Sequence, residues 1–428
     1  MALTGRAVLL ALAGLPVTLL GGWASLIFIL GWLALLALDF WLAASPKSLA
    51  YERLPLPHVR LGGSVQIDLL VTNTGSRRLR GLIRDGWQPS AGLAQPRQPL
   101  DVPAGERRRV TFAATPTRRG DRLADRVSVR SYGPLGLLAR QRSRDLPGRI
   151  RVLPPFHSRR HLPSRLARLR ELDGRSAVMV RGQGTEFDSL RDYVAGDDVR
   201  SIDWRATARR RQVVVRTWRP ERDRRVLIVL DTSRTSAARV GDEPRLDAAM
   251  DAALLLAALA NRAGDRVDFV AVDRQVRARV LGQTGSSLLP ALVEAMAPLD
   301  PVLVEADWTR IVAEVRARVP QHALVVLLTA LDAAAVEEGL MPVAAGLASQ
   351  HTVVVASVAD PTVQEMSVRR EDAVAVYDAA AAIRGELDRL AVTATLERAG
   401  VRVVDGEPAD LPPRLADAYL ALKAAGRL

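Results

Sequence analysis

The sequence contains no cysteine, few aromatic residues and almost no lysine. A chain without cysteine forms no disulfide and offers no thiolate to a metal ion, which fits a reducing compartment. Aromatic residues make up only 4% of the 428 residues. No helix-turn-helix, zinc-finger or aromatic-interleaved basic motif accompanies the formal net charge of +13, so the composition does not favour nucleic-acid binding.

Recognisable catalytic motifs are also absent from the sequence. There is no G-x-x-x-x-G-K-[ST] phosphate loop, so the chain is not itself a P-loop ATPase and we expect no nucleotide cofactor. Neither H-E-x-x-H nor G-x-S-x-G occurs. His157 and His161 are spaced by one helical turn, but they lie in a basic segment next to prolines, where solvent exposure is the simpler interpretation. We therefore expect no enzymatic activity.

The positive charge is confined to one part of the chain. Residues 1–224 carry a formal charge of +20 (39 basic and 19 acidic residues), whereas residues 225–428 carry −7 (21 basic and 28 acidic residues). Only Lys47 and Lys423 are lysines, so arginine supplies the rest of the 60 basic residues. An anionic membrane surface is a partner that such a basic segment would bind, at about 1 kcal/mol per well-placed basic residue.

An apolar run near the start of the sequence predicts insertion into a membrane. Between residues 7 and 44 the only ionisable residue is Asp39, and Gly21-Gly22 divides the run into residues 7–20 and 23–44. One uninterrupted helix would far exceed the roughly 20 residues that span a bilayer, whereas two helices joined at the glycines fit. We therefore expect a transmembrane helical hairpin in residues 1–48. A cleaved signal peptide is the alternative, although its apolar region is typically only about 7–15 residues long.

Basic residues on both sides of this run predict its orientation. Arg6 precedes the first apolar segment, and Lys47, Arg53 and Arg60 follow the second. Because Lys and Arg are enriched in cytoplasmic loops, we expect both ends and the soluble domains to lie in the cytoplasm, anchored in the cell (inner or plasma) membrane. We interpret Asp39 as an interfacial or partner-paired residue rather than a functional intramembrane carboxylate.

Beyond the apolar run the pattern changes to the period-two alternation of β-strands. Val65, Ile67, Leu69 and Val71 alternate with other residues before the Asn73-Thr74-Gly75 turn. Together with prolines and glycines at short intervals, this alternation predicts a small antiparallel β-sandwich in residues 49–155. Residues 156–223 follow as a basic connector and a motif-rich segment.

The remainder of the chain, residues 224–428, predicts an α/β domain. Apolar strand-like runs alternate with runs of helical spacing, the strands at 226–230, 266–272, 323–328 and 352–356 and the helices at 246–263, 288–296, 311–318, 336–347 and 413–425. Such alternation implies a parallel sheet with helices on both faces.

The first of these strands ends in a cluster of oxygen-bearing side chains. Its apolar run is followed directly by Asp231-Thr232-Ser233-Arg234-Thr235. Ligand sites of open α/β sheets form at the carboxyl edge of the strands, and Mg²⁺ prefers oxygen ligands. The sequence therefore predicts a candidate cation site at this edge.

Two motifs in this region resemble those of known families. The loop pattern D-x-S-x-[ST] resembles the first loop of a metal-ion-dependent adhesion site in von Willebrand factor A-like domains. The segment E-F-x-x-L-R-x-Y-x-x-G-D-D-x-R-x-I-D-W-x-x-x-A-R, from Glu186 to Arg209, is similar to the signature of the domain of unknown function 58 family. Together with the apolar run and the strand patterns described above, the resemblance predicts a multidomain chain with a transmembrane helical hairpin, a small antiparallel β-sandwich and a C-terminal α/β von Willebrand A-like (Rossmann-like) domain.

The resemblance to an adhesion site also implies metal ligands from three loops. Asp231, Ser233 and Thr235 match the first loop, and Thr284 is the candidate from the second. The third loop departs from the pattern, because Ala330 stands where an aspartate is expected and Asp332 follows two residues later. Two interpretations remain. Either these residues bind Mg²⁺ or Mn²⁺ weakly, or the loop is vestigial and Asp231 and Ser233 only satisfy backbone donors of the following helix.

The signature segment carries charged and aromatic candidates for binding, namely Glu186, Arg191, Tyr193, Asp197, Asp198, Arg200, Asp203 and Trp204. The favoured interpretation is a structural segment in which carboxylates pair with arginines. A second is a catalytic acid cluster for metal-assisted hydrolysis. A third is a protein interface anchored by Tyr193, Trp204 and the arginines.

Taken with the missing catalytic motifs, these features predict a membrane-anchored protein-interaction or adaptor protein. A-like domains present a loop surface or an open metal coordination position to a partner. The resemblance to the domain of unknown function 58 family implies a MoxR-type AAA ATPase as the protein partner, in envelope protein maturation or assembly. The alternative is a metal-dependent hydrolase that uses the Asp/Glu cluster of the signature segment.

Overall fold

The computed structural model describes residues 2–19, 21–179, 186–195, 197–219 and 224–428. Within these ranges, only the backbone is described for residues 18–19, 173–179, 186–189, 210 and 217–219. The chain divides into two compact units, Met1–Pro155 and Phe156–Leu428.

The first unit begins with helices and continues with strands. In chain order its elements are β1 (Ala2–Leu3), α1 (Gly5–Ala13), α2 (Leu15–Leu19), α3 (Gly22–Leu42), β2 (Leu49–Arg53), β3 (Val59–Arg60), β4 (Val65–Asn73), β5 (Leu79–Trp87), β6 (Arg97–Val102), β7 (Arg107–Ala114), β8 (Gly120–Tyr132) and β9 (Leu138–Leu153).

Helix α3 is, among the described residues, the one helix that is long and apolar enough to cross a membrane. Its 21 residues extend about 32 Å, which is close to the thickness of the hydrocarbon core of a bilayer. The preceding apolar segment instead forms α1 and α2, helices of 9 and 5 residues. The prediction of two spans is therefore wrong, because the first apolar segment is interrupted at Gly14 before it reaches a sufficient length.

Asp39, the one ionisable residue of the apolar run, has a structural role. Its side chain is fully buried near the end of α3. One carboxylate oxygen accepts a hydrogen bond from the backbone N–H of Leu135 at 2.7 Å, and the other accepts from Leu137 and Leu138 at 2.8 Å each. The partners predicted for Asp39 are thus backbone donors of the turn between β8 and β9.

The strands of the first unit form two sheets around a shared core. One sheet has the order β1-β9-β8-β5-β6, with β3 also paired to β9, and the other has the order β2-β4-β7. The pairing is antiparallel except between β3 and β9. As the alternation predicts, Val65, Ile67, Leu69 and Val71 on β4 are all buried and belong to a hydrophobic core that contains residues of both sheets.

The second unit alternates helices and strands. Its elements are α4 (Leu162–Met179), β10 (Glu186–Asp192), α5 (Trp204–Arg210), β11 (Val214–Arg219), β12 (Arg225–Asp231), β13 (Arg239–Val240), β14 (Glu243–Pro244), α6 (Arg245–Arg262), β15 (Arg266–Val272), β16 (Val276–Val280), α7 (Leu288–Met296), α8 (Trp308–Arg318), β17 (Leu324–Leu328), α9 (Ala333–Ala335), a π-helical turn (Val336–Leu340), α10 (Met341–Ala348), β18 (Thr352–Val358), α11 (Pro361–Val368), α12 (Ala373–Arg398), β19 (Arg402–Gly406) and α13 (Leu411–Ala424).

The main sheet of this unit has the order β16-β15-β12-β17-β18-β19. All neighbours are parallel except β16, which runs antiparallel to β15. The predicted all-parallel sheet is therefore wrong at this strand, and the sheet is mixed. From the central strand β12 the chain continues to β15 on one side and later returns to β17 on the other. This reversal creates a switch point between β12 and β17, where ligand crevices of open α/β sheets form.

The middle strands of this sheet are continuous apolar runs because both faces are covered. Residues 226–230 of β12 are buried throughout, as is all of β17. On one face, Leu227 and Val229 share a core with Ile311 of α8 and Leu347 of α10. Helix α6 is itself buried over most of its length. The packing fixes the carboxyl ends of β12 and β17 next to each other.

Candidate functional site

The Asp231 cluster lies at this switch point and consists of Asp231, Ser233, Thr235 and Thr329. Asp231 is the last residue of β12, and Thr329 directly follows the neighbouring strand β17. Asp231 accepts hydrogen bonds from the Ser233 N–H at 2.8 Å, the Thr235 hydroxyl at 3.2 Å and the Thr329 hydroxyl at 2.7 Å. The Ser233 and Thr235 hydroxyl oxygens are 3.2 Å apart. The predicted first-loop residues are thus brought together around one carboxylate.

The electrostatic state of the cluster follows from its burial. All four side chains belong to buried residues. Burial raises the pKa of the Asp231 carboxyl above its usual value, and hydrogen bonds from Thr329, Ser233 and Thr235 oppose this shift. Among the residues that the structure describes, neutral hydroxyls and one amide therefore hold the carboxylate, and no cationic side chain forms a hydrogen bond with it. A bound cation would favour the ionised form and relieve its desolvation.

A pocket of about 280 Å³ opens beside the cluster. Its wall includes Asp231, Ser233, Thr235 and Thr329 together with the carboxylates Glu305 and Glu338. The buried cluster is therefore the floor of an open crevice rather than part of a closed core.

Further hydrogen bonds stabilise the loop formed by residues 231–236. The Thr232 hydroxyl donates to Asp273 Oδ2 at 2.9 Å, and Arg277 Nε donates to the same oxygen at 2.7 Å. The Ser236 hydroxyl donates to the Asp231 carbonyl oxygen at 2.7 Å. Thr232 and Ser236, which are not part of the cluster, thus fix the loop in place.

Thr284 does not belong to the cluster. Strand β16 runs antiparallel to β15, so the residues after Val280 return to the amino edge of the parallel strands. There the Gly282 N–H donates to Asp268 Oδ1 at 3.0 Å, near the start of β15. The structure therefore places Thr284 at the edge of the sheet opposite to Asp231, apart from the other predicted ligands.

Asp332 lies near the cluster but has another function. Its side chain is exposed and accepts from the Ala335 N–H at 3.1 Å, so it caps the short helix α9. Ala330, where the adhesion-site pattern expects an aspartate, is buried in the wall of the pocket. The described hydrogen bond of the Asp332 carboxylate is thus made to α9, whereas those of Asp231 are made to Ser233, Thr235 and Thr329.

Two contributors to the site escaped the sequence analysis. Thr329 supplies the shortest of the hydrogen bonds to Asp231, and Glu305 pairs with Arg234 at the rim of the pocket. The signal for Thr329 was its position directly after the apolar run of β17, just as Asp231 directly follows the apolar run 226–230 of β12. Glu305 lies in an irregular segment, and no sequence pattern marks it.

The oxygen ligands of the cluster are of the type that a hard cation prefers, but they carry too little negative charge to bind it tightly. One carboxylate and three hydroxyl groups offer the oxygen ligands that Mg²⁺ and Mn²⁺ accept. Among the residues that the structure describes, no group of three or more His, Cys, Asp or Glu side chains converges as a metal site. A cation held by these residues would therefore be bound weakly and would keep water ligands.

The signature segment forms a hairpin, β10 with β11, and the short helix α5. Arg191 forms a bidentate pair with Asp197, at 2.8 Å and 2.5 Å. Asp203 caps α5 by accepting from the N–H groups of Arg205 and Ala206, and Arg216 Nε donates to it at 2.9 Å. The Arg191 side-chain hydrogen bond lowers the pKa of Asp197. Both carboxylates are thus engaged within the segment.

The other predicted binding residues of this segment do not converge on a single centre. Asp198 caps the 3₁₀ turn at Arg200 through that residue's N–H, at 2.9 Å. Trp204 is 68% exposed and Tyr193 is 36% exposed. Glu186 is described by its backbone alone, which pairs with Arg219, and Gly196 of the motif lies outside the described residues. The arrangement is that of a salt-bridged structural segment with exposed aromatic side chains.

Comparison with known proteins identifies the family. The family model "Protein of unknown function DUF58" matches residues 189–402, half of the chain, and the chain belongs to this family. It is 26% identical over 192 residues to uncharacterised proteins of Mycobacterium bovis and Mycobacterium tuberculosis, an alignment that covers 44% of this chain and 60% of each relative. The chain thus spans less than two thirds of the length of the curated relatives that it matches.

Solved structures give a much weaker similarity. A PapD-like domain of human CEP192 is 11% identical, with 24% of this chain and 86% of that chain covered and a TM-score of 0.19. A CARDB domain from Pyrococcus furiosus is 16% identical, with 26% and 90% covered and a TM-score of 0.19. Scores at this level do not assign a fold.

Proposed function

We propose that this protein is a membrane-anchored adaptor that binds a protein partner through its second unit. The observation that carries the proposal is the buried Asp231 cluster beneath an open pocket at the switch point of the sheet. Function in α/β sheets is concentrated at this place. The chain also lacks a nucleotide-binding loop, which favours a partner protein as the source of any ATP-driven work.

Within this proposal the second unit is a von Willebrand A-like domain and the first unit contains a β-sandwich. The central strand β12 followed by D-x-S-x-T, with strands on both sides, supports the A-like assignment. The two sheets of the first unit, which share one core, support the sandwich.

The proposal includes a divalent cation, Mg²⁺ or Mn²⁺, as a ligand of the Asp231 cluster. Asp231, Ser233, Thr235 and Thr329 would hold it. Bound there, the ion would offer an open coordination position to an acidic side chain of the partner. The protein residues orient the oxygen donors, and Thr232 with Asp273 keeps the loop in place.

A MoxR-type AAA ATPase is the proposed partner, in envelope protein maturation or assembly. Exposed apolar and aromatic side chains on the signature segment support a docking role for it, namely Tyr193, Val194, Val199 and Trp204. The alternative, a metal-dependent hydrolase, has less support because Asp197 and Asp203 are already paired with Arg191 and Arg216.

We also propose that α3 is inserted in the cell (inner or plasma) membrane with the following domains in the cytoplasm. Its lateral surface is exposed and apolar from Trp23 to Trp41, which suits lipid contact. Arg77 and Arg140 contact the carbonyl oxygens at its carboxyl end, and Lys47 follows it. Positive charge at this end supports the cytoplasmic side.

The adaptor function is tested by binding of the purified chain in detergent to a purified MoxR-type AAA ATPase from the same organism. We expect Trp204→Ala to weaken binding by about tenfold or more, because buried interface tryptophans are typical binding hot spots. Thermal stability should stay unchanged, since Trp204 is exposed. The matched control is Tyr377→Ala, a 78% exposed aromatic residue on α12. No binding by the wild type, or equal losses in both variants, would contradict the proposal.

The cation is tested by thermal unfolding of the same preparation with and without Mg²⁺ or Mn²⁺. A ligand at about 100 times its Kd adds about 2.7 kcal/mol of stability, and we expect Asp231→Ala to remove that gain. Thr284→Ala is the matched control and should leave it intact, because Thr284 lies at the opposite sheet edge. A wild type that does not respond to millimolar metal would show that the cluster is a vestigial loop.

The pH dependence of this effect has a defined sign. Burial raises the pKa of Asp231, so protons compete with the cation and the metal-induced stabilisation should grow as pH rises. Without metal the sign is reversed. The protonated Asp231 then stabilises the fold at low pH, and this contribution is lost as pH rises through the raised pKa. A metal effect that is larger at acid pH would exclude Asp231 as the ligand.

A further inference from the structure

The segment of residues 133–138, which comprises the turn between β8 and β9 and the first residue of β9 and is called the turn below, is bound to the last turn of the apolar helix α3. Asp39 accepts three backbone hydrogen bonds from this turn. The contact leaves no spare room, because a Cβ added to Gly133 would lie 2.1 Å from Asp39 Oδ1. Asp39 is three residues before the end of α3 at Leu42, a distance of about 5 Å along the helix axis. The turn is therefore fixed at the level where the apolar helix ends.

The amino terminus of the chain reinforces the same position. Strand β1 pairs with the start of β9, and the Thr4 hydroxyl donates to the carbonyl oxygen of Gly136 at 2.6 Å. The turn is thus attached to the base of both α1 and α3. Its height relative to α3 is set by these contacts and not by a flexible linker.

The composition of the turn suits the boundary between acyl chains and headgroups. Its sequence, Gly-Pro-Leu-Gly-Leu-Leu, has no ionisable residue, and Leu135 is 45% exposed. An exposed leucine at this level extends the apolar surface of α3 sideways. Lipid at the helix end could cover this leucine without leaving the N–H groups of Leu135, Leu137 and Leu138 unpaired, since Asp39 accepts hydrogen bonds from all three.

Two arginines surround the same end of the helix. Arg77 donates to the Trp41 carbonyl oxygen at 2.9 Å and stacks over the Trp41 ring, and Arg140 does the same with the carbonyl oxygen and ring of Phe40. Aromatic residues with adjacent arginine are typical of the membrane–water interface. Their guanidinium groups are placed where lipid phosphates lie when α3 is inserted.

We propose that this turn is an interfacial seat, in which Leu135 enters an anionic bilayer at the headgroup boundary while Arg77 and Arg140 bind headgroup phosphates. The inference rests on the proposed membrane insertion of α3 and goes beyond it. The strand domain is then held directly on the bilayer surface in one orientation, rather than suspended from it by a flexible anchor.

The absence of cysteine makes the test direct, because one introduced cysteine gives one labelling site. Leu135→Cys is compared with Leu123→Cys, whose exposure is nearly the same at 47%. Leu123 lies on β8 nine residues before Tyr132, the last residue of that strand, which places it about 30 Å up the strand from the turn. Leu30→Cys, in the middle of α3, reports insertion of the helix itself. Each full-length variant is labelled with an environment-sensitive fluorophore and reconstituted into phosphatidylcholine–phosphatidylglycerol vesicles.

Quenching by spin-labelled lipids gives the result, with the spin label near the top of the acyl chain for residues 135 and 123 and near the end of the acyl chain for residue 30, which lies in the middle of α3. We expect fluorescence loss at residues 30 and 135 and none at residue 123. Loss at residue 30 with residues 135 and 123 both unquenched would overturn the seat while α3 insertion stands. No loss at residue 30 would overturn insertion and the seat together. A label at residue 135 that is shielded from a water-soluble quencher but not quenched by lipid would assign the surface to a protein partner and also overturn the seat.

The arginine contacts are tested in the same assay. The double variant Arg77→Gln and Arg140→Gln should remove the difference in quenching at residue 135 between vesicles with and without phosphatidylglycerol. A difference that persists in the double variant would show that these arginines do not bind the headgroups.

Discussion

Replacing Lys423 with alanine is expected to destabilise the second unit by about 3–5 kcal/mol, the usual cost of leaving one member of a buried ion pair without its partner. The Lys423 ammonium lies 2.7 Å from Asp265 Oδ1, and the Tyr419 hydroxyl donates to Asp265 Oδ2 at 2.5 Å. All three residues are buried. Without the ammonium, the Asp265 carboxylate would remain desolvated, and of its two described side-chain donors the Tyr419 hydroxyl alone would be left.

Hydrogen-exchange mass spectrometry provides the measurement because it resolves the two units. The protection of β15, which begins next to Asp265, should fall in Lys423→Ala. Lys47→Ala is a matched control, since Lys47 is the other lysine of the chain and is exposed. It should change stability by no more than about 0.5 kcal/mol. Equal effects of the two substitutions would disprove the role given to the buried pair.

A triple variant distinguishes the net contribution of the ion pair to stability from the cost of leaving one of its members unpaired. Lys423→Met with Asp265→Leu and Tyr419→Phe removes all the buried polar groups together. Because a buried ion pair is often replaceable by apolar residues of similar size, we expect this variant to regain much of the stability lost in Lys423→Ala. A triple variant that is less stable than Lys423→Ala would show that the pair contributes net stability.

The sequence predicted those residues of the site that lie in one short motif. Asp231, Ser233 and Thr235 follow an apolar strand within five residues, and the structure brings them together. Thr329 could not be assigned in the same way. Its contact with Asp231 depends on β17 being the neighbour of β12, which is a property of strand order and not of local sequence.

The position of Thr284, which was predicted as a ligand, shows that a sequence pattern does not determine the direction of a strand. Residues 276–280 alternate between partly buried or buried and exposed positions, as expected for a strand at the edge of a sheet. We did not predict this strand. Its antiparallel course moves the following loop to the other edge of the sheet and separates Thr284 from Asp231.

The error in the membrane segment has a different cause. Composition correctly marked residues 7–44 as apolar, but it does not determine where a helix breaks. Gly14 ends α1 and packs against Phe28, so closely that an added Cβ would lie 1.9 Å from the ring. The first apolar segment therefore forms a short helix that packs against α3 and is not long enough to span a membrane.

The signature segment shows a related limit of the sequence. Its charged residues were visible in the sequence, but which of them pair depends on the hairpin of β10 and β11.

Removing the Asp39 carboxylate should detach the turn of residues 133–138 from α3. A buried N–H left without an acceptor costs about 1–3 kcal/mol, and Asp39→Ala leaves three of them, so we expect a loss of about 3 kcal/mol or more in the first unit. The measurement is amide hydrogen exchange of the full chain in detergent. The amides of Leu135, Leu137 and Leu138 should lose protection in the variant.

The conservative substitution Asp39→Asn tests the geometry of this contact at the level of single bonds. Asparagine retains one acceptor oxygen, which can accept from the Leu137 and Leu138 N–H groups. The side-chain NH₂ group then faces the Leu135 N–H, which loses its acceptor. We therefore expect a smaller loss of stability than in Asp39→Ala, with faster exchange mainly at Leu135. Asp125→Ala, which removes an exposed carboxylate paired with its neighbour Arg126, is the control and should leave all three amides protected. If Asp39→Ala leaves the three amides as protected as in the wild type, the carboxylate does not hold the turn, and the rigid attachment on which the interfacial seat depends is lost.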